Sequence, residues 1–278
     1  VRENSRTLSV QKAGSLLAHA VLRGVPMNSK PSRPFETDDT ATLDADWRHG
    51  AMLNTPRAVT LALRSGGLVT DRAFDQHLPY DLRVVSREFW TPLHVILRIA
   101  DWLRGFGIGS LTDIGAGAGK LCVASAIASD CRFYGVEHRP RLVAAARSLA
   151  RTFGVDDRVT FIEGALGEGI LPRTDAYYLF NPFGENLYGL DGHLDESVEL
   201  GEERYARDIA AVESVLRAAP VGTYVITYNG FGGCIPREYD VLRADHTLPQ
   251  DLYLARKMSE GSGYDARGCW FDDSPMSA

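Results

Sequence analysis

Asp113-Ile114-Gly115-Ala116-Gly117-Ala118-Gly119-Lys120 sets three glycines at alternate positions directly behind a short apolar run. Glycine permits a sharp turn and lets backbone approach a ligand closely, so this segment predicts a site for a nucleotide-like molecule. Spacing narrows the choice. A dinucleotide fingerprint reads G-x-G-x-x-G, and the third residue after Gly117 is Lys120. A phosphate loop G-x-x-x-x-G-K-[ST] also fails, because Gly119 lies only four residues beyond Gly115 and Leu121 stands where a hydroxyl is needed. Glu137 follows 18 residues after Gly119, and a carboxylate can accept two hydroxyls at once. Asn181-Pro182-Phe183-Gly184 is the third group of interest. Asn181 offers a carbonyl oxygen to an N–H, Pro182 stiffens the turn and biases Asn181 toward an extended backbone, and Phe183 offers a ring to a flat or cationic group.

The elements around these groups are legible from periodicity. Phe89 to Leu103 predicts a helix capped by Thr91, with Pro92 at the first helical position and Leu93, Ile96, Leu97, Ala100 and Leu103 on one face; Gly105 should end it. Strand and helix then alternate: Ser110–Ile114 strand, Leu121–Ala128 helix, Arg132–Glu137 strand, Arg139–Phe153 helix stopped by Gly154, Arg158–Glu163 and Asp175–Phe180 strands, Glu203–Ala219 helix, Gly222–Tyr228 strand. Two short strands are expected between Tyr239 and Lys257. Such alternation implies an α/β, doubly wound, mostly parallel sheet with right-handed crossovers and an antiparallel edge from the closing pair. Before residue 108 only helices are predicted, at Ser15–Arg23 and Arg57–Arg64, separated by a Pro/Ser/Thr/Asp-rich loop over Asn28–Asp46. The domain plan is therefore an N-terminal helical extension over 1–88, an α/β domain over 89–258 and a tail over 259–278, in which Cys269-Trp270-Phe271 is apolar enough to dock.

D-x-G-x-G-x-G behind a first strand, with an acidic residue ending the next strand, resembles motif I of the class I S-adenosylmethionine-dependent methyltransferases. The resemblance spans Phe89 to Lys257. It implies a Rossmann-like seven-stranded methyltransferase fold and S-adenosylmethionine as cofactor. It further implies that Asp113, Gly115, Gly117 and Gly119 form the cofactor turn and that Glu137 takes the ribose hydroxyls. Many family members carry an acidic residue in the third-strand turn; here Ala165 stands in that place, which leaves the adenine to backbone groups and to apolar faces such as Leu166. Trp90 and Thr91 would wall the methionine end, or else serve only as a hydrophobic staple and a cap. Asn181–Gly184 is similar to the [DN]-P-P-[YFW] motif of methyltransferases acting on planar or amino nitrogens. The match is partial, with Phe183 in place of the second proline and Gly184 in place of the aromatic residue. It implies a nitrogen acceptor and an acceptor side built from Asn181, Pro182, Phe183 and Tyr228, with Asn181 also near the cofactor and Glu185 a further candidate. The glycine loop beyond Tyr228 is expected to form an acceptor wall. The same features resemble the protein-lysine methyltransferases of this fold, so the acceptor is a small molecule or a protein side chain.

Composition bounds the alternatives. Thirty Lys plus Arg against 36 Asp plus Glu give a net charge of −6, which disfavours a grip on long nucleic acid. No apolar run reaches membrane-spanning length, and no secretory signal is expected from the first residues. Four cysteines without a C-x-x-C pair read as small buried hydrophobes of a reducing, cytoplasmic protein. No metal-ligand spacing is visible among the seven histidines. Asp191-Gly192-His193-Leu194-Asp195-Glu196 reads as a solvated acidic loop, with cation binding or, together with Glu199, Glu202 and Glu203, selection of a cationic substrate as alternatives. Arg139, Arg141, Arg147 and Arg151 read as a solvated helix face. A nicotinamide-dependent oxidoreductase and a catalytically silent cofactor-binding subunit remain as rival functions.

Overall fold

The computed structural model describes residues 54–166, 171–189 and 192–261. The predicted helix at Ser15–Arg23, the loop over Asn28–Asp46, Asp191 and the Cys269–Phe271 segment lie outside them.

Among the described residues five helices precede the sheet: α1 (Pro56–Arg64), α2 (Asp71–Asp75), α3 (Tyr80–Val84), α4 (Ser86–Phe89) and α5 (Leu93–Phe106). Thr55 and Thr70 cap α1 and α2, each accepting a hydrogen bond from the backbone N–H three residues on. Helix α5 differs from its predicted start. Its N-cap is Pro92, with no side-chain cap, because the Thr91 hydroxyl is 2.9 Å from the Tyr178 hydroxyl instead. It also runs past Gly105 and stops at Gly107, the residue that adopts the left-handed conformation.

The alternating part follows as β1 (Ser110–Ile114), α6 (Lys120–Ala128), β2 (Arg132–Glu137), α7 (Pro140–Phe153), β3 (Val159–Glu163), β4 (Ala176–Leu179), a 3₁₀ turn (Gly184–Leu187), α8 (Glu202–Ala218), β5 (Tyr224–Tyr228), β6 (Tyr239–Asp245) and β7 (Leu252–Lys257). The seven strands order as β3-β2-β1-β4-β5-β7-β6. The first five are parallel, and β7 runs antiparallel between β5 and β6. The two-residue period of a strand sends alternate side chains to opposite faces. Leu111, Phe133, Phe161, Tyr178, Ile226 and Leu254 join α5, α6, α7 and the N-terminal helices in one core. Ile114, Tyr177, Leu179, Val225 and Ala255 join Val212 and Leu216 of α8 in the other. Helix α6 is buried from Lys120 to Ile127; a helix apolar all round belongs in the interior, and its Ala, Ser and Cys residues let neighbouring helices approach closely. Phe74 of α2 stacks on Phe153 of α7 at 4.8 Å, so the described part of the extension packs into the first core.

Cys122 and Cys131 are buried free thiols. Cys234 is disulfide-bonded, which corrects the reading of that residue as a reduced hydrophobe. No helix among the described residues is long and apolar enough to cross a membrane.

Candidate functional site

In an open parallel sheet a crevice forms where the strand order reverses, beyond the carboxyl ends of the strands. Here the reversal lies between β1 and β4, so the glycine turn after β1 and the Asn181 turn after β4 face each other across it. The amides of Gly115 and Ala116 both donate to the Val136 carbonyl, at 2.9 and 3.0 Å, folding the turn over β2. Gly115, Gly117 and Gly119 have φ of +78°, +54° and +78°, values strained for any side-chain-bearing residue. Each missing Cβ also admits a wall of the site: Pro182 lies over Gly115, the Trp90 ring over Gly117, and Phe161 with Ala146 over Gly119. The glycines thus serve protein packing as well as ligand approach.

Glu137 ends β2 and is almost fully buried. Its Oε2 accepts from the Gly117 amide at 3.0 Å and its Oε1 from the Arg139 amide at 2.9 Å. Burial raises its pKa, while those amides and the Arg139 charge oppose the rise. A carboxylate has about four acceptor positions; the Gly117 and Arg139 amides take two and the His138 amide also faces it, which leaves one or two for hydroxyls. The donor set therefore fits a ribose. The β3 turn lies alongside, because the Gly164 amide donates to the Glu137 carbonyl at 3.0 Å. Ala165 and Leu166 are half-buried there, with Leu166 packed on the second core.

The methionine-side candidates sit together. The Trp90 indole N–H donates to the Leu82 carbonyl at 3.2 Å. Thr91 meets Tyr178 of β4, one of the two strands paired with β1. Asp113 is buried with the Cys122 thiol donating to it at 3.5 Å; burial, reinforced by the Glu137 charge, pushes its pKa up to about 7.

On the acceptor side Asn181 is half-buried with φ +38°. The extended backbone expected before Pro182 is overridden. The Asn181 amide donates to the Gly230 carbonyl at 2.8 Å, its own carbonyl accepts from Gly184 at 3.1 Å, and its side-chain amide lies over Gly184 where a Cβ would sit. Asn229, at the end of the adjacent β5, is also left-handed, with φ +58°. Strained backbone gathers at working sites, and Asn accepts this region better than most residues. Tyr228 is buried, its ring centroid 5.0 Å from that of Phe180. Phe183 points into the second core, so its ring acts there as packing.

Two polar clusters at the end of β2 escaped the sequence reading. Arg139 is buried rather than on a solvated face. It donates to both oxygens of Glu185 at 2.8 and 2.9 Å and to Asp195 at 3.0 Å. Glu185 also accepts from the Leu194 amide at 2.6 Å, so three of its about four acceptor positions are taken by protein donors. The other cluster is His138–Arg204–Asp208. The Arg204 Nε donates to Asp208 at 2.7 Å and its Nη2 lies 3.4 Å from His138 Nδ1. The Arg204/Asp208 spacing of four on a helix was the available signal. Among the described residues no group of three His, Cys, Asp or Glu is arranged to hold a metal ion.

The strand order, the glycine turn and the carboxylate ending β2 are those that the resemblance to the class I methyltransferases implies. No protein-family model matches the chain, and no curated protein matches it. Among solved structures it is similar to an RNA methyltransferase from Salinibacter ruber in complex with S-adenosyl-L-homocysteine (21% identity, 63% of this chain and 97% of that one, TM-score 0.46). It is also similar to the S-adenosylhomocysteine-bound methyltransferase PaMTH1 from Podospora anserina (14% identity, 83% and 100%, TM-score 0.48). A third likeness is the mitomycin 7-O-methyltransferase MmcR (16% identity, 78% and 66%, TM-score 0.45).

Proposed function

We propose that this protein is an S-adenosylmethionine-dependent methyltransferase acting on a nitrogen of a small molecule or a protein side chain. The observation that carries the proposal is Glu137: a buried carboxylate at the carboxyl edge of the sheet, braced by the Gly117 amide and keeping acceptor positions for a ribose. In this reading Gly115, Gly117 and Gly119 shape the cofactor turn, and Trp90 and Thr91 wall its methionine end. Asp113 underlies the turn, while Ala165 and Leu166 border the adenine.

The cofactor would supply an already activated methyl group. What the chain contributes is position and exclusion of water, and well-oriented reactants gain up to ~7–11 kcal/mol from positioning. Asn181 orients the acceptor, its amide oxygen accepting the acceptor's N–H; Pro182 fixes the turn, and Phe180 with Tyr228 forms an aromatic wall. A nitrogen acceptor must be uncharged to attack; the Asn181 carbonyl oxygen accepts an N–H and so aims the nitrogen lone pair, while the acceptor's proton leaves to water. Glu185 is spoken for by Arg139 and takes no part in proton removal.

Titration calorimetry with S-adenosylhomocysteine and with NADH separates this reading from the oxidoreductase. S-adenosylhomocysteine should bind and NADH should not; the reverse would refute it. Glu137→Gln should weaken S-adenosylhomocysteine about tenfold or more, since a hydrogen bond to a charged group is worth ~1.5–3 kcal/mol. The nitrogen assignment is tested separately. Mass spectrometry of methylated product should locate the methyl on nitrogen, and Asn181→Ala should lower turnover more than cofactor affinity.

A further inference from the structure

His138 follows Glu137 directly, and its surroundings define which of its nitrogens carries hydrogen. Guanidinium groups only donate, so Arg204 Nη2, 3.4 Å away, makes Nδ1 the acceptor. Burial and the charges of Arg139 and Arg204 lower the His138 pKa to about 4, with Asp195 acting in the opposite sense. The ring is therefore neutral near pH 7, with its proton on Nε2. That Nε2 is a buried atom with no hydrogen-bond partner among the described residues. Leaving a buried donor unpaired costs about 1–3 kcal/mol, so an orphan of this kind calls for a reason.

Glu137 Oε1 lies 3.9 Å from that Nε2. That is too long for a hydrogen bond. One oxygen atom at ordinary hydrogen-bond distances of ~2.7–3.0 Å from each group can span it, at an angle of roughly 80–95°. About a quarter of the His138 side chain, 23%, is open to solvent, at atoms other than Nε2. The ring is held from behind: Asp208 of α8 is buried and accepts from Arg204 Nε at 2.7 Å. The facing groups are thus Glu137 and Arg139 from its own segment, Arg204 with Asp208 from α8, and Asp195.

We propose that His138 is a second ribose-recognition residue, its Nε2–H donating to the hydroxyl oxygen whose own proton Glu137 accepts, with Arg204 and Asp208 as positioning residues that set the imidazole tautomer. The assignment rests on the methyltransferase reading and deepens its cofactor site. One hydroxyl is then read as acceptor and as donor at once, a demand that a fluoro or deoxy sugar cannot meet.

The test is calorimetry of S-adenosylhomocysteine and its 2′-deoxy and 3′-deoxy analogues on wild type, His138→Phe and His138→Gln. Phe keeps the bulk and removes both nitrogens; Gln places an N–H near the position of Nε2. His138→Phe should bind S-adenosylhomocysteine about tenfold more weakly. On one of the two deoxy analogues it should equal wild type within about twofold, because the partner oxygen is gone. His138→Gln should recover to within about threefold of wild type, and Arg204→Met should weaken S-adenosylhomocysteine in the same direction as Phe. Equal losses on all three ligands, or no loss, would overturn the inference and leave the cofactor assignment standing. Failure of wild type to bind S-adenosylhomocysteine would overturn both. Should His138→Phe not fold, the Gln variant and Arg204→Met decide between the same outcomes.

Discussion

Asp113 lies inside β1, 4% exposed, with a thiol rather than a cation beside it. Its pKa of about 7 stands above the ordinary 3.8 because burial penalises the charge. Between those values the folded protein holds a proton that the unfolded chain has released. The contribution is therefore fully favourable below about pH 4 and is lost as the pH rises through 7. Asp113→Asn should melt at a higher temperature than wild type at pH 8, and the gap should narrow steadily as the pH is lowered toward 4. A pH-independent gap would show that Asp113 stays ionised. Glu137 is buried too, but amides compensate its charge. Burial raises both carboxylates, and only Glu137 has backbone amides that oppose the rise, a difference in partners that sequence spacing does not report.

The helix behind the glycine turn begins with a buried cation. Lys120 Nζ lies 2.6 Å from Asp71, 2.9 Å from Asp75 and 3.2 Å from the Ser86 hydroxyl. A helix N-terminus is the positive end of its dipole, so a lysine is unfavourable there unless carboxylates offset it. Asp71 also accepts from the Leu93 amide at 2.8 Å, tying α2 and α4 to the start of α5 and holding Trp90 over Gly117. Breaking such a buried pair from one side costs ~3–5 kcal/mol, a large share of a domain's ~5–15 kcal/mol. Lys120→Met should lower the urea midpoint strongly, and Lys120→Arg should lose much less. Equal stability of wild type and Lys120→Met would mean the carboxylates are satisfied otherwise. Helices α2, α3 and α4 are four or five residues long, less than two turns, so they carry too little periodicity to be seen in sequence.

At the scale of the molecule, one crevice joins turns from β1, β2, β3 and β4, and a ligand filling it binds only the folded state. Such a ligand stabilises by about 2.7 kcal/mol at 100 times its dissociation constant. For a chain of this size that corresponds to roughly 2–4 °C per kcal/mol. S-adenosylhomocysteine should raise the melting temperature progressively with concentration, and NADH should not. A flat response to S-adenosylhomocysteine at millimolar concentration would count against the whole site. Loss of the rise in Glu137→Gln, with unchanged melting of the unliganded variant, would localise the effect.

Ser110–Ile114 and Arg132–Glu137 were legible to the residue, and α7 and α8 within one, because apolar periodicity and glycine stops are local properties of the chain. The glycine turn and its acidic partner were legible for the same reason: both lie within a single β-α-β unit. What the tertiary structure alone decided is which groups meet across distant segments. Thr91 leaves its helix for Tyr178, Arg139 is buried on Glu185 and Asp195, and Asn181 takes a left-handed turn set by Gly230 and Gly184. A side chain's partner depends on the sheet order and on segments 46 to 87 residues away, and burial then makes that partner's charge and hydrogen bonds decisive, whereas local patterning carries no trace of either.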